Sequence, residues 1–124
     1  MFERGQEYTR RQLFRLLGVP EDIQGGNWFT GYNEYKGSFY VFANVGTPGR
    51  TGHDYANKWV GPELEWYAKS GTNIQQPQVL RMISSDSVHV FWRERNQAPF
   101  RYAGTAVARL IRGGTPVEIV WAFP

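Results

Sequence analysis

Two histidines, His53 and His89, stand far apart in the 124-residue chain. Neither has beside it the second histidine or paired carboxylates that a zinc site or an acid–base dyad uses. His89 lies between Val88 and Val90 in an alternating run, the setting of a satisfied structural or rim histidine. His53 precedes Asp54 in a loop, where the pair either orients a ligand or phosphate or simply serves a turn; spacing sets no Ser or Thr nucleophile against it. Glu63 and Glu65 share a strand face and read as a solvated pair rather than as catalytic acids. Gly46-Thr47-Pro48-Gly49 lacks the Gly-Lys-Ser/Thr ending and the following helix of a phosphate-binding loop. No metal or cofactor is expected from these patterns, and the chain reads as a binding domain rather than an enzyme.

A surface for binding is easier to read. Five Trp, seven Tyr and eight Phe are more rings than one small core hides, and eleven of the fourteen cations are Arg. The planar guanidinium suits phosphate and guanine edges better than ammonium does, although high genomic G+C produces the same bias. Trp28, Tyr32, Tyr35, Tyr55, Trp59, Trp66 and Tyr67 are interleaved with Arg10, Arg50, Lys58 and Lys69. That mixture suits nucleic acid, with cations on phosphates and rings against bases. At least half of these rings belong to an ordinary core, with Trp66 and Trp92 foremost. Arg10 and Arg11 sit in a first helical turn, where free amides and positive charge make a phosphate clamp; solubility explains the two arginines almost as well.

The elements that position these residues are mainly strands. Thr9-Arg10-Arg11-Gln12 is a capping box, followed by apolar Leu13, Phe14, Leu16 and Leu17 and stopped by Gly18 and Pro20, which predicts one short N-terminal helix. After Gly25-Gly26 the period changes, and β-branched or aromatic runs at 27–32, 38–45, 63–69, 79–84, 87–93, 100–110 and 117–123 predict six or seven strands. Their regular spacing predicts an antiparallel, barrel-like sheet in a single domain spanning residues 1–124. One long glycine-rich segment, 44–59, breaks the rhythm and places Arg50, His53 and Lys58 along one rim.

Charge and composition exclude little more. Fourteen Lys plus Arg against eleven Asp plus Glu suit an anionic partner without demanding one. The lack of cysteine removes disulfides and thiolate metal sites and fits a reducing, cytoplasmic location. No run reaches the roughly 18 apolar residues of a membrane span, and the N-terminal residues lack the apolar stretch of a signal peptide, so no membrane partner is expected.

The order Gly5-x-x-Tyr8-Thr9-Arg10, Gly26-Asn27-Trp28-Phe29-Thr30-Gly31-Tyr32, Gly52-His53-Asp54-Tyr55-x-Asn57, Trp66-Tyr67-x-Lys69, Val90-Phe91-Trp92-Arg93 and Pro99-Phe100-x-Tyr102-x-Gly104 spans nearly the whole chain. It resembles an accessory DNA-recognition domain of bacterial restriction proteins, fused to HNH-type endonucleases or to helicase-like restriction proteins, some of which cut methylated DNA. No HNH motif is present in this chain. The resemblance implies recognition of modified double-stranded DNA, with 5-methylcytosine foremost, and natural fusion to a nuclease domain. On this reading Arg10, Arg11, Arg50 and Lys69 hold phosphates, Trp28, Tyr32, Tyr55, Asn57 and Trp59 approach bases, and Tyr8, Thr9, Thr51 and His53 complete the contact surface. A methyl group is then read either in the major groove with the base stacked, which the scattered aromatics slightly favour, or by extruding the base into an aromatic pocket. A second reading, from another class, is a protein-interaction domain that docks a restriction nuclease to its partners through the same aromatics and Arg. A small-ligand barrel, or an enzyme lacking a familiar motif, ranks last.

Overall fold

A computed structural model describes residues 2–46 and 57–124. Among them the chain is mainly β, with eight strands, two α-helices and two 3-10 turns. The strands are β1 (Glu7–Tyr8), β2 (Tyr32–Tyr35), β3 (Ser38–Asn44), β4 (Lys58–Val60), β5 (Glu63–Tyr67), β6 (Val88–Arg93), β7 (Phe100–Arg112) and β8 (Glu118–Ala122), and the helices are α1 (Arg10–Leu17) and α2 (Pro77–Ile83).

Helix α1 forms where the capping box places it. The Thr9 hydroxyl accepts from the Gln12 amide at 3.1 Å, and the Gln12 side chain accepts from the Thr9 amide at 2.8 Å. Gly18 ends the helix at φ +70°, a left-handed position that glycine occupies without strain. Leu13 and Phe14 are its buried residues, as a two-turn helix with one apolar face requires.

The sheet differs from the expected antiparallel barrel in three ways. Its strands run β2-β3-β6-β7-β8-β5-β4 along an open path, with β1 on the flank of β7. β3 and β6 pair in parallel, from Phe39 opposite Val88 to Asn44 opposite Arg93, so the sheet is mixed. The run expected as a strand at 79–84 lies largely in α2: Pro77 occupies the first turn, where a missing amide hydrogen costs nothing, and Val79 and Met82 fall one turn apart on the buried face. Part of the run at 27–32 is likewise a 3-10 turn, Gly26–Phe29, with Tyr32 opening β2.

β7 organises the rest. At 13 residues it spans about 40 Å, and its first part through Ala106 pairs with β6 while residues from Val107 onward pair with β8. Bulges opposite Val90/Phe91 and at Ala108/Leu110 bend it between the two halves of the sheet. The first half-sheet is therefore covered on both faces, and β3 shows it residue by residue. Phe39, Val41 and Ala43 enter a core shared with Leu64, Trp66, Ile119 and Trp121 of the second half-sheet and with Val79 and Met82 of α2. Tyr40 and Phe42 enter a second core shared with Leu13, Phe14, Trp28, Phe91, Phe100 and Tyr102. A strand buried on both faces has no polar alternation to show, which is why 39–43 reads as one continuous apolar run. Each large side chain so enclosed contributes on the order of 1.5–3 kcal/mol.

Candidate functional site

One register row crosses four strands: Ala43 of β3, Trp92 of β6, Arg101 of β7 and Glu7 of β1. Side chains in such a row share a face and meet their neighbours. Arg101 accordingly stands over the Trp92 ring, 5.5 Å from its centroid, and pairs with Glu7 at 3.6 Å. Trp92 and Arg101 form the common wall of two adjoining concavities. One, about 210 Å³, is also lined by Glu7, Arg93, Glu94, Arg95, Ala98 and Pro99. The other, about 310 Å³, is more apolar and adds Arg4, Trp59, Gly61, Pro62 and Phe123. There Trp59 meets Trp92 edge-on at 5.6 Å and Phe123 at 5.5 Å. The N-terminal segment completes the rim by pairing along β7, Gly5 N–H donating to the Tyr102 carbonyl at 2.8 Å and Arg4 Nε to the Ala103 carbonyl at 3.1 Å. Arg4 lies so close over Gly104 that a Cβ there would meet its Nε at 3.1 Å.

A knot of polar side chains fastens the strand ends beside this groove. Asn57 donates through Nδ2 to the Asn44 carbonyl at 3.1 Å and accepts from the Tyr67 amide at 2.8 Å. Arg93 donates to Asn44 Oδ1 at 2.7 Å and to the Ala98 carbonyl at 3.2 Å while stacking over Phe100 at 4.2 Å. Burial pushes the Arg93 pKa down, and with its donors so occupied it clips strands together. Arg95, by contrast, is exposed and makes no side-chain hydrogen bond or ion pair among the described residues.

The residues expected from sequence fall in several places. Arg50, Thr51, His53 and Tyr55 lie outside the described residues. Trp59 lines the apolar concavity, and Asn57 is in the knot. Trp28 and Tyr32 are enclosed, each 2% exposed. Arg10 turns inward, its guanidinium 4.7 Å from the Phe29 and Phe100 rings and 5.0 Å from Phe42. Thr9 is occupied by the capping box. The Tyr8 hydroxyl accepts from the Glu3 amide at 2.9 Å, and Lys69 donates to Asn27 Oδ1 at 3.3 Å above the Tyr32 ring. Arg11 is exposed on α1, which packs on the face of the first half-sheet opposite to the one that Trp59 and Trp92 adjoin. The fold thus gathers around Trp59 a different company, Trp92, Phe123, Arg4 and Arg101, with Arg95 in the adjoining concavity. The alternation of β7 carried the signal for Arg101, exposed between buried Phe100 and Tyr102. Trp66 is core as expected, at 1% exposure, whereas Trp92 is only partly buried.

The acids and the described histidine have settled roles. Glu63 pairs with Arg109 at 2.5 Å, Glu65 with Lys58 at 3.9 Å and Glu118 with Arg112 at 2.6 Å. Among the described residues no three His, Cys, Asp or Glu side chains are grouped to hold a metal ion. His89 stacks on Tyr40 at 5.3 Å and is hydrogen-bonded through Nδ1 to the Tyr102 hydroxyl at 2.8 Å. Burial holds its pKa below the ordinary value of 6.5. The unfolded chain is then the better proton acceptor, so this contribution to stability is intact above about pH 6.5 and is lost as pH falls through that value toward the folded pKa. Urea midpoints near neutrality and at about pH 5 should drop more in the native chain than in His89→Gln; equal drops would remove His89 as the cause.

The fold and groove define a small mixed-β domain whose partly buried indoles and exposed guanidiniums share one concave end. The chain belongs to the family described as Domain of unknown function (DUF3427), whose model matches residues 2–112, from the N-terminal segment to the end of β7. No curated protein matches it.

Proposed function

We propose that this domain is a DNA-binding recognition module whose ligand is duplex DNA carrying a modified base, 5-methylcytosine foremost. The observation that carries the reading is the pair of adjoining concavities divided by Trp92 and Arg101. An apolar hollow beside exposed guanidiniums suits a ligand that is aromatic and anionic within one repeat, as a nucleotide is. Arg95, Arg101 and Arg4 supply positive charge at the rim, and the chain as a whole carries +3. The Glu7–Arg101 pair is exposed and worth roughly 0–1 kcal/mol, so a phosphate displaces the carboxylate at little cost. A 5-methyl group is detected by apolar contact, which Trp59 and Phe123 offer. Cleavage of the DNA would belong to a separate nuclease domain attached to such a module.

The test is a titration against duplexes identical except for cytosine methylation on neither, one or both strands, at two salt concentrations. Methyl-dependent, salt-sensitive affinity supports the reading. Salt-sensitive binding blind to methylation leaves a general DNA anchor, and no binding to any duplex favours a protein-interaction domain. Arg101→Ala should weaken every duplex alike and lower the slope of log affinity against log salt by about 0.9. An unchanged slope would remove Arg101 from the phosphate contacts.

A further inference from the structure

We propose that the apolar concavity between Trp59, Trp92 and Phe123 receives a single base drawn out of the DNA stack, its flanking phosphates resting on Arg4, Arg95 and Arg101. The inference rests on the DNA-binding reading and specifies how that site is used.

Size and lining point to one ring. At about 310 Å³ the hollow is at the bottom of the roughly 300–1,000 Å³ range of small-ligand sites, enough for one planar heterocycle. Its walls are rings, small or side-chain-free residues and two arginines. Trp59, Trp92 and Phe123 line it together with Gly5, Gly61, Pro62 and Ala103, which add little bulk, and with Arg4, Arg101 and Tyr102. A base left stacked in a duplex presents only its edge to a protein, whereas an unstacked base presents two π faces, and a hollow walled by indoles is matched to faces.

Among the described residues Trp59 is held by packing and not by a side-chain hydrogen bond. Its indole Nε1 is buried with no hydrogen-bond partner among the described residues. Among the described residues the ring meets Trp92 and Phe123 and packs against the core that holds Leu64 and Trp121, and sliding to admit a third ring breaks no side-chain hydrogen bond there. The charges lie where the backbone of such a nucleotide would run. Arg101 caps the Trp92 face between the two hollows, Arg95 lines the polar one, and Arg4 lines the apolar one over Gly104. A base in the apolar hollow and its phosphate in the polar one would straddle the Trp92–Arg101 wall.

Extrusion is opposed by pairing and stacking, and the opposition is least where the base is mispaired. The intact chain is therefore titrated against three duplexes of one sequence at one salt concentration: fully matched, with one central mismatch, and with that mismatched base removed to leave an abasic site. The mismatched duplex should bind at least about tenfold tighter than the matched one, and the abasic duplex, having no base to insert, should lose that gain. Trp59→Ala and Trp92→Ala should return the mismatched duplex to the matched level, while Trp92→Phe keeps part of the preference. Equal affinity of the native chain for matched and mismatched duplexes overturns base capture while leaving DNA binding intact. A preference that the abasic duplex keeps in full also overturns it, because DNA flexibility would then be what is read. Failure to bind any of the three removes the DNA reading itself. The comparison of the three duplexes uses only the native chain, so it stands even if an alanine variant fails to fold.

Discussion

Trp28→Ala should lose about 3–5 kcal/mol of stability, the range of large-to-small core replacements. A single domain is stable by only about 5–15 kcal/mol, so the variant will be largely or marginally unfolded, with a collapsed near-UV circular dichroism signal and a urea midpoint far below the native one. The ring is 2% exposed and lies at the centre of the second core. It meets Phe14 at 5.3 Å, Tyr40 at 5.6 Å, Tyr35 at 5.8 Å and Phe42 at 6.4 Å, and so joins α1 to strands β2 and β3. A 3-10 turn, Gly26–Phe29, delivers it. Trp28→Phe should keep a good part of the stability, since an aromatic ring still fills most of the space. A Trp28→Ala protein that folds with the native midpoint yet no longer distinguishes methylated from plain DNA would overturn this placement and make the ring a base reader.

Arg10→Lys should destabilise the fold nearly as much as Arg10→Ala, by roughly 2–3 kcal/mol, even though the charge is kept. The guanidinium is sandwiched among Phe29, Phe42 and Phe100 and donates through Nε to the Trp28 carbonyl at 3.0 Å. A flat, weakly hydrated cation can stack on three rings and still donate sideways. An ammonium is a compact, strongly hydrated point charge that does neither well. Arg10 thus joins the helix start to β3, β7 and the turn that holds Trp28. The measurement is the urea midpoint of both variants, with DNA affinity compared at equal folded fraction. Native midpoints combined with a fall in affinity would return Arg10 to the phosphate contacts expected of it from sequence.

These two residues show where sequence reading stops. Thr9, Gln12 and Gly18 declared their roles because a cap is made within four residues of chain, and its hydrogen bonds are those the spacing implies. The strands at 88–93 and 118–122 were legible for the same reason: residues two apart share a face wherever the strand is docked. The α2 segment was not, because Val79 and Ile83 are β-branched and weigh toward a strand, and a seven-residue helix is settled by what its buried face meets. The parallel pairing of β3 with β6 was equally hidden. Those strands are separated by β4, β5 and α2, and no local pattern records which way a distant neighbour runs.

The sequence by itself determined the mainly β character, the capped N-terminal helix and its stop, the two-residue alternation that exposes Arg101 between Phe100 and Tyr102, and the surplus of rings and guanidiniums for one small domain. Tertiary structure alone decided which rings are core and which line a surface. Trp28 and Trp92 are chemically identical, and each stands in the chain between a Phe and a polar residue. One is sealed by α1 packing on one face of the first half-sheet; the other lies near the end of β6, opposite Arg101 at the start of β7, where it lines the groove. Burial is a property of what packs against a side chain, and the partners that decide it come from strands distant in sequence.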